Sequence, residues 1–389
     1  MKKIPAVLTF GVLVGLAVGY SLAAAAGEVQ KPFKGPLKVF ILAGQSNMEG
    51  HGGVRTLDAL GEHPTHGHLL KKIKHADGSF VVRDDVFVSY QHGSGEIKRP
   101  LTVGMGAWGA EWFGPELMFG IEMGDHLEEP VLLIKTCWGG KDLFYDFRPP
   151  SAGKPAYDVG KRDSKMGESY RQMVKEVHQC LENLDSDFPQ FKGLKYQLCG
   201  LVWFQGWNDM CSGKKEAWQE YPSNFVHLVQ DLRTEFKVPN LPVVVGELGC
   251  GGEKDEGQIP FRNEQAKIAT RPELKGRVGY VRTAPFWYPA LDELPRKLGA
   301  EEGRVRQKVA AQVKEQYQGK PESSDPKKME QLVNAAVDKA LKDDAAYQKI
   351  KQEHDRHVSN WFCHYNGSAT VYCLVGYSLA EVMKPLLQK

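Results

Sequence analysis

The chain has 389 residues, of which 42% are apolar and 25% charged, and a formal net charge of +2. That composition belongs to a soluble globular protein able to bury a large core, as one big domain or as one domain carrying an insertion. The near-neutral balance gives no reason to expect nucleic acid or an anionic membrane as a partner.

The N-terminus reads as a secretory leader. Lys2 and Lys3 precede an apolar stretch that runs to Ala26 and closes on four alanines and Gly27, small residues suited to cleavage. Residues 1–26 are therefore expected to be a signal peptide, and the protein secreted or periplasmic. If uncleaved, the stretch is long enough to anchor the chain in a membrane, and no other stable membrane insertion is expected.

The first strand is expected over residues 39–43, a short apolar run broken at Gly44-Gln45-Ser46-Asn47. A serine thrown out at the carboxyl end of a buried strand stands where open α/β sheets place reactive groups. A Gly- and His-rich loop follows over 49–68, then a short strand over 85–90 in a partly antiparallel region. A glycine-rich loop, 104–114, leads into a helix from Glu116 with Pro115 at its start.

Residues 130–136 form the next strand, ending in Cys137-Trp138-Gly139-Gly140. A helix over 164–183 carries Tyr170, Met173, Val177 and Leu181 on one stripe. A strand over 200–204 ends in Gln205-Gly206-Trp207-Asn208-Asp209. A helix over 215–236 contains Pro222, an expected kink or restart. A strand over 242–246 ends in Glu247, a helix covers 261–270, and a last strand covers 277–283. Strands alternating with helices imply a parallel sheet covered on both faces, with the strand ends lining one crevice.

Residues 294–356 differ. They are rich in Lys, Glu, Gln and Ala, and read as an inserted charged helical hairpin over 304–318 and 327–353. The expected organisation is thus a leader (1–26), a catalytic domain (27–293 and 357–389) and a helical insertion (294–356). Ser368 is expected to cap the final helix. Asn366-Gly367-Ser368 fits a glycosylation acceptor but reads as the turn before that helix. Seven cysteines are compatible with one or two disulfides in an exported protein. No C-x-x-C or H-x-x-x-H spacing occurs, so no metal site is expected.

Serine attack on an acyl carbon needs a nucleophile, a base and donors for the developing oxyanion. Ser46 is the candidate nucleophile and His364, just before the last helix, the candidate base. The Asn208 side-chain amide is a candidate oxyanion donor. A backbone N–H of the 104–114 loop is another: Gly109 is favoured, with Gly106 and Gly114 as alternatives. Trp138 and Tyr145 are candidates to stack on a sugar ring. Trp207 is the preferred pocket wall.

Four blocks carry a resemblance: Gly44-Gln45-Ser46-Asn47-Met48, Phe113-Gly114-Pro115-Glu116-Leu117, Gln205-Gly206-Trp207-Asn208-Asp209 and the segment from His364 to Ala369. Together they resemble the SGNH hydrolase superfamily, and within it the sialate O-acetylesterase-like branch, carbohydrate esterase family 6. Arg262 and Gln265, following Glu247, are similar to that branch too. The resemblance implies a three-layer α/β/α flavodoxin-like fold with a parallel central sheet. It also implies no metal or other cofactor, and removal of O-acetyl groups from a glycan or small acetylated sugar. It assigns Ser46 as nucleophile, His364 as base, and the Ser46 N–H, a loop glycine and Asn208 as oxyanion donors. Gln45, Asn47, Gln205, Trp207, Trp138, Glu247 and Arg262 are the residues expected around the substrate.

The family places an acid three residues before the histidine, where this chain has Trp361. Asp355 is the leading substitute, ahead of Asp209, and a backbone carbonyl orienting His364 is a further option. The missing acid also leaves open a non-catalytic glycan-binding protein that keeps the fold.

Overall fold

Leu37–Gly44 (β1) is buried along nearly its whole length, which a strand can be only when both faces of its sheet are covered. The computed structural model describes residues 33–388 apart from Ser94 and 158–164. The expected leader lies outside the described residues. Around β1 stand Val86–His92 (β2), Gly95–Pro100 (β3), Val131–Cys137 (β4), Tyr196–Phe204 (β5), Val243–Gly246 (β6) and Val278–Val281 (β7). They form one sheet in the order β3-β2-β4-β1-β5-β6-β7. Every pairing is parallel except the β2–β3 hairpin. Without that hairpin the order is the flavodoxin-like one, with β1 at the point where the winding reverses.

Glu116–His126 (α1), Glu168–Glu182 (α2), Lys215–Glu235 (α3) and Ile259–Ala266 (α4) fill the crossovers. Pro222 sits inside α3 without ending it. Phe40 packs on Phe119 of α1, and Gly200 leaves room for Met383 of the final helix, so those two helices share one face. On the other face Trp203 packs on Phe225 of α3 and hydrogen-bonds the Tyr221 hydroxyl at 3.0 Å. The result is three layers, α/β/α.

Residues 290–357 form three helices where the pattern implied two: Ala290–Tyr317 (α5), Pro326–Asp343 (α6) and Ala345–His357 (α7). The extra break is a capping effect. Asp344 accepts from Tyr347 N at 2.9 Å and so starts a new helix in a run of good helix formers. α5 begins well before the expected start and runs through Pro295. Val305, Val309 and Val313, four apart, meet Val337 in a small core of their own.

The last helix, Ala369–Leu387 (α8), is not capped by Ser368. Its first N–H is instead bonded by Thr56 Oγ1 at 2.9 Å, while Ser368 Oγ lies 3.1 Å from the Tyr288 hydroxyl. All seven cysteines are free thiols. Among the described residues, no helix is long and apolar enough to cross a membrane.

Candidate active site

Three neighbouring strands stop level with one another. Gly44 at the end of β1 is in register with Cys137 of β4 on one side and Phe204 of β5 on the other. The two residues after each strand therefore emerge at one height, at the reversal point of the sheet. Ser46 opens a single helical turn, Ser46–Glu49. A Cβ built on Gly139 would lie 3.9 Å from Ser46 Cβ and 3.2 Å from Glu49 Oε2, so the Gly139 backbone runs against the serine. Neither the Ser46 nor the Gly139 N–H has an intramolecular acceptor among the described residues.

The third strand end is held by Gln45. Its Oε1 accepts from Gly206 N at 3.1 Å, Gln205 Nε2 at 3.2 Å and Asn208 N at 3.3 Å. Its Nε2 donates to Asn208 Oδ1 at 2.9 Å. That bond fixes the Asn208 amide with its oxygen turned inward and its N–H groups turned out. The Gln45 and Gln205 polar atoms are thus committed to the scaffold rather than to a ligand.

His364 lies in the bend before α8. Tyr365 and Asn366 both adopt φ of 52°, a left-handed geometry that side-chain-bearing residues hold only when surroundings impose it. The imposing contacts are visible. The Tyr365 hydroxyl accepts from Gly249 N at 2.8 Å, and the Asn366 amide donates to Leu291 O at 2.7 Å. The buried Asn366 therefore serves the turn. Asn47 ties this bend to the serine turn, donating to Cys363 O at 3.1 Å and accepting from the Tyr372 hydroxyl at 2.9 Å.

His364 Nδ1 is 3.1 Å from Asn360 Oδ1. A carbonyl oxygen only accepts, so the proton sits on Nδ1 and Nε2 keeps its lone pair. Asn360 Nδ2 faces His51 Nδ1 at 3.3 Å, and the two imidazoles stack flat at 3.8 Å. One amide thus orients two rings. Burial lowers His364 to about 4. His51 falls to about 3, through burial first and then the charges of His364 and Lys135.

Several expectations need correction. Asp355 is not brought to His364. It pairs with Lys351, with His354 Nδ1 at 3.0 Å and with Arg55 at 3.7 Å. Asp209 is buried under the 143–144 backbone, accepting from Leu143 N at 2.9 Å and Phe144 N at 3.0 Å. Burial, then the Asp142 charge, pushes its pKa up. Gly109 closes a tight turn, its N–H directed at Gly106 O at 3.4 Å, with open space around it. Gly139 occupies the place beside Ser46 that was expected of Gly109. The signal was the Trp138-Gly139-Gly140 break after β4, which parallels the break after β1.

Arg262 is buried with its guanidinium on three carbonyls: Leu248 at 2.7 Å, Gly252 at 2.7 Å and Cys250 at 2.9 Å. It shapes the 248–252 loop and is committed to that backbone rather than to a carboxylate ligand. Glu247 is buried beside the Tyr280 hydroxyl at 3.3 Å, and burial raises its pKa. Trp138 packs on Phe147, whereas Trp207, next to Asn208, reaches Phe362. Among the described residues, no group of three or more His, Cys, Asp or Glu is placed to hold a metal ion.

A candidate nucleophile at the sheet's reversal point, its turn tied by Asn47 to the bend that carries a buried histidine, is an arrangement on which serine-type hydrolysis could be built. The family model described as carbohydrate esterase, sialic acid-specific acetylesterase, matches residues 36–283, and the chain belongs to that family. A probable carbohydrate esterase of Arabidopsis thaliana is 24% identical over 58% of this chain and 74% of its own. Among solved structures, an Arabidopsis thaliana protein covers 64% of this chain and 86% of its own, at 16% identity and a TM-score of 0.40. A carbohydrate acetylesterase from Xanthomonas citri covers 63% and 49%, at 16% identity and a TM-score of 0.39. NanS covers 64% and 79%, at 14% identity and a TM-score of 0.39.

Proposed function

We propose that the protein is an exported serine esterase that removes O-acetyl groups from a carbohydrate. The observation that carries this reading is the shared register of β1, β4 and β5, which gathers Ser46, Gly139 and Asn208 at one edge. The leader-like residues 1–26 support export.

In this mechanism His364 Nε2 takes the Ser46 proton as Oγ attacks the acetyl carbon. The carbonyl oxygen becomes an oxyanion held by the Ser46 and Gly139 N–H groups and the Asn208 amide. His364 then protonates the departing sugar oxygen, leaving an acetyl-serine. The same histidine deprotonates a water that attacks this ester, and acetate leaves as Ser46 recovers its proton. Asn360 holds the imidazole in the productive tautomer and carries no charge to offset the imidazolium.

The test is hydrolysis of a chromogenic acetyl ester by wild type and Ser46→Ala. Turnover that disappears in the variant supports the assignment. Turnover that survives it would remove Ser46 as the nucleophile.

A further inference from the structure

Three of the large apolar side chains that this protein exposes stand around His364. Trp361 is 67% exposed, Trp108 53% and Phe362 41%. They are not scattered. The Trp361 ring lies 5.8 Å from the His364 ring and 5.9 Å from Trp108, and Trp108 lies 4.6 Å from His51. The next residue, Phe362, turns to the other side, 6.1 Å from Trp207 and 5.2 Å from Trp287. Consecutive residues of one loop thus supply an aromatic face on the histidine side of the site and another on the Asn208 side.

Leaving that much indole and phenyl surface in water is unfavourable, and a contiguous exposed patch of this kind marks a binding surface. The occupant has to be amphipathic. A purely apolar ligand would not use the polar groups between the two faces. Sugar rings present apolar C–H faces to aromatic planes while their hydroxyls stay in water. Trp361 and Phe362, consecutive in the chain, pack against different aromatic neighbours, so a ligand that covers both faces needs more than one ring.

We infer that Trp108 with Trp361, and Phe362 with Trp207 and Trp287, are two sugar-stacking subsites flanking the nucleophile. The preferred substrate is then an acetyl group on an internal ring of an oligo- or polysaccharide chain. This rests on the esterase reading and adds the substrate class.

The experiment compares partially acetylated xylose and glucose, each as the single sugar and as linear oligomers, alongside para-nitrophenyl acetate. For wild type, kcat/KM should rise with chain length in at least one series, mainly through KM. In Trp361→Ala and Phe362→Ala the ratio of long-chain to single-sugar kcat/KM should fall roughly tenfold each, as expected when one aromatic face is no longer buried. Trp361→Phe should keep part of it. Tyr196→Ala, an exposed ring at the opposite end of β5, should leave the ratio unchanged. A wild type that cleaves the small ester with no length dependence in either series overturns the subsites alone, as does a ratio that survives both substitutions. A wild type that cleaves nothing overturns the esterase reading and the subsites with it.

Discussion

Asn360 Oδ1 accepts the Nδ1 proton of His364 at 3.1 Å, so a neutral amide does the orienting that a carboxylate does in a Ser-His-Asp triad. Orientation is kept and charge compensation is lost. With burial holding His364 at about 4, the proposed base stays neutral well into the acid range. The acid limb of kcat/KM should therefore lie near pH 4 rather than near the ordinary histidine value. Asn360→Asp sets a carboxylate against the His364 Nδ1–H, which favours the imidazolium and moves that limb to higher pH. Asn360→Ala removes one hydrogen bond of about 0.5–1.5 kcal/mol, a loss of roughly 2- to 10-fold in kcat. pH–rate profiles of the three proteins check both statements. Identical limbs in wild type and Asn360→Asp would show that Asn360 does not orient His364.

The proposed oxyanion donors can be separated by mutation. Asn208→Ala should lower kcat by on the order of 10²–10³ with little change in Tm, since the Asn208 side chain is half-exposed. Gly139→Ala puts a methyl group 3.2 Å from Glu49 Oε2 and against Ser46, and should depress kcat while the fold holds. Gly109→Ala should do the reverse. Its φ of +91° makes a side chain there cost about 1–2 kcal/mol, but its surroundings are open and kcat should be kept. Thermal melts beside initial rates distinguish the two glycines.

Much of this architecture was legible in residue patterns. The buried strands are runs of branched residues ending in glycine or polar residues, and such runs located every strand of the main sheet but one. The hairpin strand β3 escaped because Gly95–Pro100 is exposed or half-exposed at the sheet edge and carries charge instead of an apolar run. Ser46, Asn208 and His364, the residues proposed for the chemistry, could be picked out in the sequence because each sits at an element boundary. Asn360 was not, because its role depends on a bend that only the contacts of Tyr365 and Asn366 create. Asp355 was misleading for a related reason: it is near His364 in sequence but ends on a helix whose register turns it toward Lys351 and Arg55. Arg262 was expected around the substrate through the resemblance, and sequence cannot show three carbonyls already bound to it.

The stacked imidazoles have a consequence for stability. Both His51 and His364 have native pKa values below their ordinary 6.5. Between pH 6.5 and about 4 the unfolded chain binds protons that the native state excludes, so this pair lowers stability as pH falls through that window. Glu176, raised to about 7 by burial, and Asp209, raised by burial and the Asp142 charge, act in the opposite sense. The decisive quantity is therefore a difference. His51→Gln should lose less Tm than wild type between about pH 6.5 and 4.5, as read by thermal melts across pH. Parallel slopes in the two proteins would show that the stack does not titrate with folding.

Gln45 offers the sharpest probe of how Asn208 is aimed. The Gln45 amide nitrogen donates to Asn208 Oδ1 at 2.9 Å, while its oxygen collects the Gly206 and Asn208 backbone N–H groups. In Gln45→Glu the oxygen's duties remain possible for the carboxylate, so the turn survives. The donor to Asn208 Oδ1 is gone, and a negative charge now faces that oxygen. The Asn208 amide should rotate and offer its N–H groups to the introduced carboxylate instead of the oxyanion. kcat should then fall about as far as in Asn208→Ala, on the order of 10²-fold. Because both changes remove the same donor, the double variant should be scarcely worse than either single one, a coupling that a double-mutant cycle measures directly. Additive losses would instead mean that Gln45 supports the site by a route that does not pass through Asn208.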